Sequence, residues 1–420
     1  MKPKKLILLA VVGLALGAWA WWSWQQEQRR AVPEAIGKPA FPNLDVNQVR
    51  KILVVSSGST VSVARVSGAW VVPDRFNYPA NFSKVAQCLR ELGEAKVWQV
   101  MNVAETQLDE LNLLLPGHAS DDKRESEGTL VTLLGAQDSV LTSFVVGKPF
   151  ARKPDRAPGG TGMMLSSGQD GQYVRLSDGR VIILPTFLGR LLEGAQHWLA
   201  DDFLNITAGQ LAELTVTGPE RAEVVVRRDP EAARLVLQGV ADDEETDAAK
   251  FNQLTGMLGY LSFHDVANPA LTPSQTGLDA PVVVTAVTTQ GVAYALSIGG
   301  PVATNNPDRY VSVKVSLRPR SAPVPASVRT NAAPDQVAAA NEAAEAKKLA
   351  DTVAELDQRL SPWIYIVKSY RVEPALATRE SLVTKKAPPA SEPPAAEPAP
   401  AGKAVSEPAE PAAAEKPADE

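Results

Sequence analysis

Two stretches, Val49-Arg50-Lys51-Ile52-Leu53-Val54 and Leu211-Ala212-Glu213-Leu214-Thr215-Val216, share apolar first, fourth and sixth positions and a charged third. Each opens the same succession of elements, which makes the chain a duplication. After the first stretch, Val49–Val55 and Thr60–Val66 read as strands around the turn Ser56-Ser57-Gly58-Ser59, and Ala69–Val72 as a third. Asn81 then caps a helix whose apolar face is Val85, Cys88, Leu89 and Leu92, spaced i, i+3, i+4, i+7. Strands follow at Lys96–Met101, Leu130–Leu134 and Leu141–Val146, the last closed by Gly147. A hairpin Tyr173–Leu176 and Arg180–Leu184 turns on Ser177-Asp178-Gly179, and a helix is predicted from Thr186 to about Asp201.

The second copy repeats this order. Glu223–Arg228 and Arg234–Leu237 are its next strands, and Asp247 and Lys250 stand where Asn81 and Lys84 stood. Phe251, Leu254, Leu258 and Leu261 renew the helix face, and Phe263-His264-Asp265-Val266 echoes Val97-Trp98-Gln99-Val100. Pro281–Thr288 and Ala293–Ile298 end at Gly299, and Tyr310–Val313 matches Tyr173–Leu176. Residues 319–361 interrupt this copy with a proline-rich stretch and an alanine-rich helix, about Asp335–Leu360. Its seam of Leu349, Val353, Leu356 and Leu360 is too short for a coiled coil, so it is expected to pack on its own domain. Trp363–Val367 then supplies the missing hairpin strand, and Tyr370–Val383 a closing helix. The expected class is α+β, with repeats at 46–204 and 205–386.

The N-terminus reads as a membrane device. Lys2, Lys4 and Lys5 precede an uncharged run from Leu6 to Trp24, about 28 Å long as a helix, close to one bilayer core. Trp19, Trp21, Trp22 and Trp24 suit the membrane–water interface. The lysines place the N-terminus in the cytoplasm and the body outside it. Residues 1–30 are read as an uncleaved signal-anchor or, since Ala18-Trp19-Ala20 resembles a cleavage site, a removed signal peptide. Residues 31–45 form a proline-containing linker. Residues 387–420 hold nine prolines, seven acidic and two basic side chains and no aromatics, and are expected to be a disordered tail.

The net charge of −6 thus sits largely in the tail, and nothing suggests nucleic-acid binding. Cys88 is the only cysteine and lies on an apolar helix face, where a core thiol is expected. His118, His197 and His264 are far apart and lack ligand spacing, so no metal, cofactor or catalytic residue is assigned. The glycine-rich Gly159-Gly160-Thr161-Gly162 lacks a phosphate-loop lysine. Lys148, Arg152, Lys153 and Arg156 around it form the one local basic cluster, a candidate patch for an acidic partner or lipid headgroup.

The repeat order, the strand-turn-strand start with Trp70, the helix from Asn81 and the motif Thr276-Gly277-Leu278-Asp279-Ala280-Pro281 resemble the bacterial family known as domain of unknown function 4340. The first copy departs from that motif with Leu111-Asn112-Leu113-Leu114-Leu115-Pro116, and residues 117–128 look like an insertion. The resemblance implies an auxiliary envelope component linked to gliding-motility-type ABC transporter systems, and it carries no catalytic residues. The expected function is a non-catalytic scaffold or auxiliary subunit at the bacterial inner membrane with a periplasmic body, its partner an envelope protein such as an ABC transporter permease. The alternative is an envelope hydrolase or ligand-binding receptor with its site at the junction of the repeats.

Overall fold

The computed structural model describes residues 35–117, 121–151, 171–185, 188–303, 306–318 and 336–386. Among them the chain is α+β, and every pairing between its strands is antiparallel. The first sheet contains β1 (Lys51–Ser56), β2 (Ser59–Val66), β3 (Ala69–Val72), β4 (Tyr78–Pro79), β5 (Gln99–Met101), β6 (Thr129–Leu134), β7 (Val140–Phe150), β8 (Gly171–Leu176) and β9 (Val181–Leu184). Their order is β4-β3-β2-β1-β6-β7-β8-β9-β5. The second half contributes β10 (Leu211–Thr217), β11 (Val224–Arg228), β12 (Leu235–Leu237), β13 (Glu244–Thr246), β14 (Asp265–Val266), β15 (Val282–Thr288), β16 (Val292–Ala303), β17 (Asn306–Leu317), β18 (Ile364–Val367) and β19 (Val383–Lys385). Its large sheet runs β12-β11-β10-β15-β16-β17-β18-β14, the first order without β4 and with each of the other eight strands replaced by its counterpart. β13 pairs separately with β19, and the first half has a vestige of this ladder in the bridge between Ala80 and Leu199.

The helices are α1 (Phe82–Glu94), α2 (Ala248–Gly256), the single turn α3 (Pro273–Thr276), α4 (Gln336–Leu360) and α5 (Ser369–Leu376). The two repeat helices start alike. Asn81 accepts from the Lys84 N–H, and Asp247 from the Ala249 and Lys250 N–H groups. Both satisfy donors left free at a helix N-terminus. The cap backbones are held the same way: Asn81 N–H donates to the Trp198 carbonyl (2.8 Å) and Asp247 N–H to that of Leu382 (2.9 Å). Val85, Cys88, Leu89 and Leu92 are buried, as the spacing predicts.

The helix predicted over Thr186–Asp201 does not form; Thr186 and Phe187 lie outside the described residues. Two 3-10 turns, Gly189–Leu192 and Ala195–Trp198, take its place, separated by Gly194 in an extended conformation (ψ 173°). Of the expected apolar face, Leu188, Leu191, Ala195 and Leu199 are buried, Leu192 is exposed, and Phe187 lies outside the described residues. A continuous helix would spend the His197 and Trp198 carbonyls internally. Here they accept from Lys84 and Asn81, which fastens the start of α1. The closing helix of the second repeat is likewise shorter than predicted. It stops at Leu376, and a 3-10 turn, Arg379–Leu382, leads into β19.

The motif difference between the repeats has a backbone explanation. Gly277 adopts a left-handed conformation (φ +67°) and ends α3. Its counterpart Asn112 adopts the same region (φ +52°), which asparagine tolerates better than most side chains. Leu278 N–H reaches the Pro273 carbonyl (2.8 Å), and Leu113 N–H reaches that of Leu108 (2.9 Å), so one turn is built from two sequences.

The insertion helix α4 lies along β17, with Val353 and Leu360 buried and the Asp357 carboxylate accepting from the Val315 N–H (2.8 Å). None of the described helices is long and apolar enough to cross a membrane. The expected span, with Lys2, Lys4, Lys5 and the four tryptophans, lies outside the described residues, as does the expected disordered tail.

Candidate functional site

One hydrophobic core runs through both halves. The chain crosses between them at residues 200–207, where Leu204 bridges to Leu261 and the Ile206 N–H donates to the Leu258 carbonyl (2.9 Å). Five aromatic rings meet there: Tyr78 and Phe203 from the first half, and Phe263, Trp363 and Tyr365 from the second. Ring centroids lie 4.5 Å apart for Phe203–Tyr365 and 4.9 Å for both Phe263–Tyr365 and Tyr78–Trp363, in tilted or edge-on arrangements that suit aromatic quadrupoles. Burial pushes the Tyr78 phenol up to about 12, and the Tyr365 phenol is raised further by its own burial. At the rim, Arg75 meets Asp265 at 2.6 Å and Gln196 donates to the same carboxylate at 3.0 Å.

An open cleft of about 510 Å³ lies beside this junction, lined by Lys84, Glu193, His197 and Asp201 from the first half and Phe263 and His264 from the second. The Lys84 ammonium donates to the His197 carbonyl (3.0 Å) and pairs with Asp201 (3.3 Å). Partial burial would raise the Asp201 carboxyl, but Lys84, the Asp201 backbone N–H and the Asn81 amide outweigh it and hold the group below its usual range. His197 Nδ1 meets Glu193 at 2.5 Å, and partial burial lowers the imidazole pKa against the pull of that carboxylate. His264 Nε2 lies 3.4 Å from Asp308, which Lys368 also holds at 2.9 Å. Each imidazole keeps one buried ring nitrogen, His197 Nε2 and His264 Nδ1, without a partner among the described residues.

Among the described residues, the cleft lining offers no hydroxyl or thiol for nucleophilic attack. Among the described residues, no group of three or more His, Cys, Asp or Glu side chains is placed to hold a metal ion. Lys84 has a mirror in the second repeat, where Lys250 donates to the Ser381 carbonyl at 2.9 Å. The same contact recurs beside a different cleft, of about 620 Å³ and lined by Lys250 and Ser381, so it belongs to the fold. Cys88 is buried and its thiol is pushed up to about 12, chiefly by burial, so it is an inert core side chain. In native protein at about pH 8, iodoacetamide is expected to leave Cys88 unmodified while labelling it fully in denaturant, as read by intact mass. Labelling at equal rates in both states would contradict the buried placement.

Of the basic patch, only Lys148 is described. It sits on β7, and its ammonium donates to the Glu110 carbonyl. Arg152, Lys153 and Arg156 lie outside the described residues, as do His118 and the glycine-rich loop. The convergence of His197 and His264 was not read from the sequence. Its one legible trace was the alignment placing His264 at the Trp98 position: their N–H groups make the same bond, to the Ile366 and Ile183 carbonyls.

This geometry can be set beside known proteins. Residues 164–281 match the family model described as Domain of unknown function (DUF4340). The DUF4340 segment runs from just before β8 to Pro281. It contains every lining residue of the cleft except Lys84, together with the Thr276–Pro281 motif that carried the resemblance. No curated protein and no solved structure matches the chain.

Proposed function

We propose that the chain is a non-catalytic, membrane-anchored envelope scaffold, an auxiliary subunit of an ABC-type transporter or a related complex. Residues 1–30 act as a single signal-anchor in the bacterial inner membrane, N-terminus inside, with the repeats in the periplasm. The observation that carries this reading is the fusion of two like-ordered sheets into one core, while the charged groups at their junction are used for fastening. The edge strands β4, β5, β12 and β14 are only two or three residues long, which disfavours strand addition and leaves faces as the binding surfaces. Affinity purification of the full chain from solubilised membranes is expected to recover a permease or another envelope protein in fixed ratio. Recovery of the chain alone, after mild solubilisation and crosslinking, would overturn the proposal.

A second reading, a ligand-binding receptor or hydrolase at the junction, is favoured by the cleft itself and by the two unpartnered imidazole nitrogens near it. It requires a small polar ligand whose stabilisation of the protein is lost in both His197→Ala and His264→Ala.

A further inference from the structure

A groove of about 930 Å³ runs between α1 and the β2–β3 turn in the first repeat, within the size range of ligand sites. Phe82, two-thirds exposed, and Trp70 supply its aromatic surface, and Arg50, Arg65 and Arg90 its charge. The Trp70 indole N–H and the Arg90 guanidinium have no partner among the described residues. Arg50 uses Nη1, on the Asn47 and Val49 carbonyls, and Arg65 uses Nε, on the Gly68 carbonyl, so both keep donors free. Of the two carboxylates at the rim, Asp45 is occupied with the Asn47 N–H and the Gln48 amide, which leaves Glu94. The groove is therefore aromatic, cationic and rich in donors.

The second repeat shows that the fold does not require this chemistry. Strand register pairs Arg65 with Trp70 and, at the equivalent place, Arg228 with Leu235. Counting from the helix caps, Phe82 corresponds to Ala248 and Arg90 to Gly256, and counting along β1 and β10, Arg50 corresponds to Ala212. Arg228 spends its donors on the Ala208, Gly209, Leu211 and Ala233 carbonyls. The same architecture thus stands without the two aromatics and with its one remaining arginine consumed.

We propose that this groove binds the acidic, proline-rich C-terminal segment of the same chain. Proline rings pack on aromatic faces, and proline-rich segments carry solvated carbonyl acceptors with few N–H donors, the complement of a groove rich in donors. The segment 387–420 has a net charge of −5, with glutamate beside proline at Glu392-Pro393-Pro394, Glu397-Pro398 and Glu407-Pro408-Ala409-Glu410-Pro411. The described chain ends at Lys386. From there to Glu407 an extended proline-type chain spans roughly 65 Å, against a radius of gyration of roughly 20 Å for a body of this size. A sphere of that radius of gyration is about 50 Å across, so the last of these runs lies further along the chain than the width of the body.

The test uses the full chain in a whole-cell lysate, membranes included, with Phe82→p-benzoylphenylalanine as a photo-crosslinker. The expected product is an intramolecular crosslink to a peptide from 387–420. Its yield should fall severalfold in Arg90→Glu and recover when Glu407→Lys and Glu410→Lys are added. A chain ending at Lys386 should give that crosslink only when a synthetic 387–420 peptide is supplied. Crosslinks to lipid, to a different protein or to a second copy, or none at all, would overturn the proposal. So would an unchanged yield in Arg90→Glu. None of these outcomes depends on whether residues 6–24 span the membrane.

Discussion

Tyr365→Ala is expected to destabilise the protein by about 3–5 kcal/mol, the cost of deleting a large buried ring with incomplete collapse around the hole. Tyr365 is fully buried at the junction, with its ring within 6.2 Å of those of Tyr78, Phe203 and Phe263, centroid to centroid. Its hydroxyl donates to the Leu360 carbonyl (3.2 Å) at the C-terminus of α4, an acceptor shared with the Trp363 N–H (3.4 Å). The substitution removes contacts to the other repeat and also the pin on the insertion helix. Tyr365→Phe keeps the ring and loses only the hydrogen bond, so about 1 kcal/mol is expected. Denaturant unfolding reads both values. It should also show whether Tyr365→Ala splits one transition into two, as loss of the shared core implies. A loss below about 1 kcal/mol in Tyr365→Ala would mean that the aromatic junction does not couple the repeats.

Gly299→Ala is expected to cost about 3 kcal/mol or more, at the upper end for overpacking, because a Cβ there would lie 2.2 Å from the Thr276 carbonyl oxygen and 3.3 Å from Leu278 Cδ2. The first obstacle is backbone, so no rotamer change relieves it. Gly147, the counterpart in the first repeat, faces the Leu111 carbonyl oxygen at 2.4 Å and should behave alike. Gly256, the last residue of α2, has nothing within 4 Å of a Cβ and a φ that any residue adopts. Gly256→Ala is therefore expected to be neutral or to stabilise by up to about 1 kcal/mol through helix propensity and the unfolded chain. The contrast between Gly299→Ala and Gly256→Ala, measured by thermal and denaturant unfolding, tests the close approach of motif and strand. Equal effects would contradict it.

The repeat was legible because burial writes a period into sequence. Val49, Ile52 and Val54 are buried as Leu211, Leu214 and Val216 are, and two different caps, Asn81 and Asp247, announce the same helix start. The insertion was legible too, since the interrupted hairpin needed a strand and Ile364–Val367 provides it beside β17. The segment after Phe187 was misread because its apolar spacing suits a helix or a pair of 3-10 turns equally. What separates them is the use of the His197 and Trp198 carbonyls by α1, over 100 residues earlier.

By itself the sequence determined two copies of one α+β unit, their caps and turns, the interrupting helix and the core thiol. These rest on local period and on φ restrictions, which each stretch carries within itself. Only the tertiary structure decided that Tyr78, Phe203, Phe263, Trp363 and Tyr365 share one junction and that His197 and His264 border one cleft. It also decided that Trp70 and Phe82 flank one groove in the first repeat. Apolar patterning states that a side chain is buried and leaves its neighbour open. That choice is made when distant segments dock, and docking is where these two nearly equivalent repeats become different.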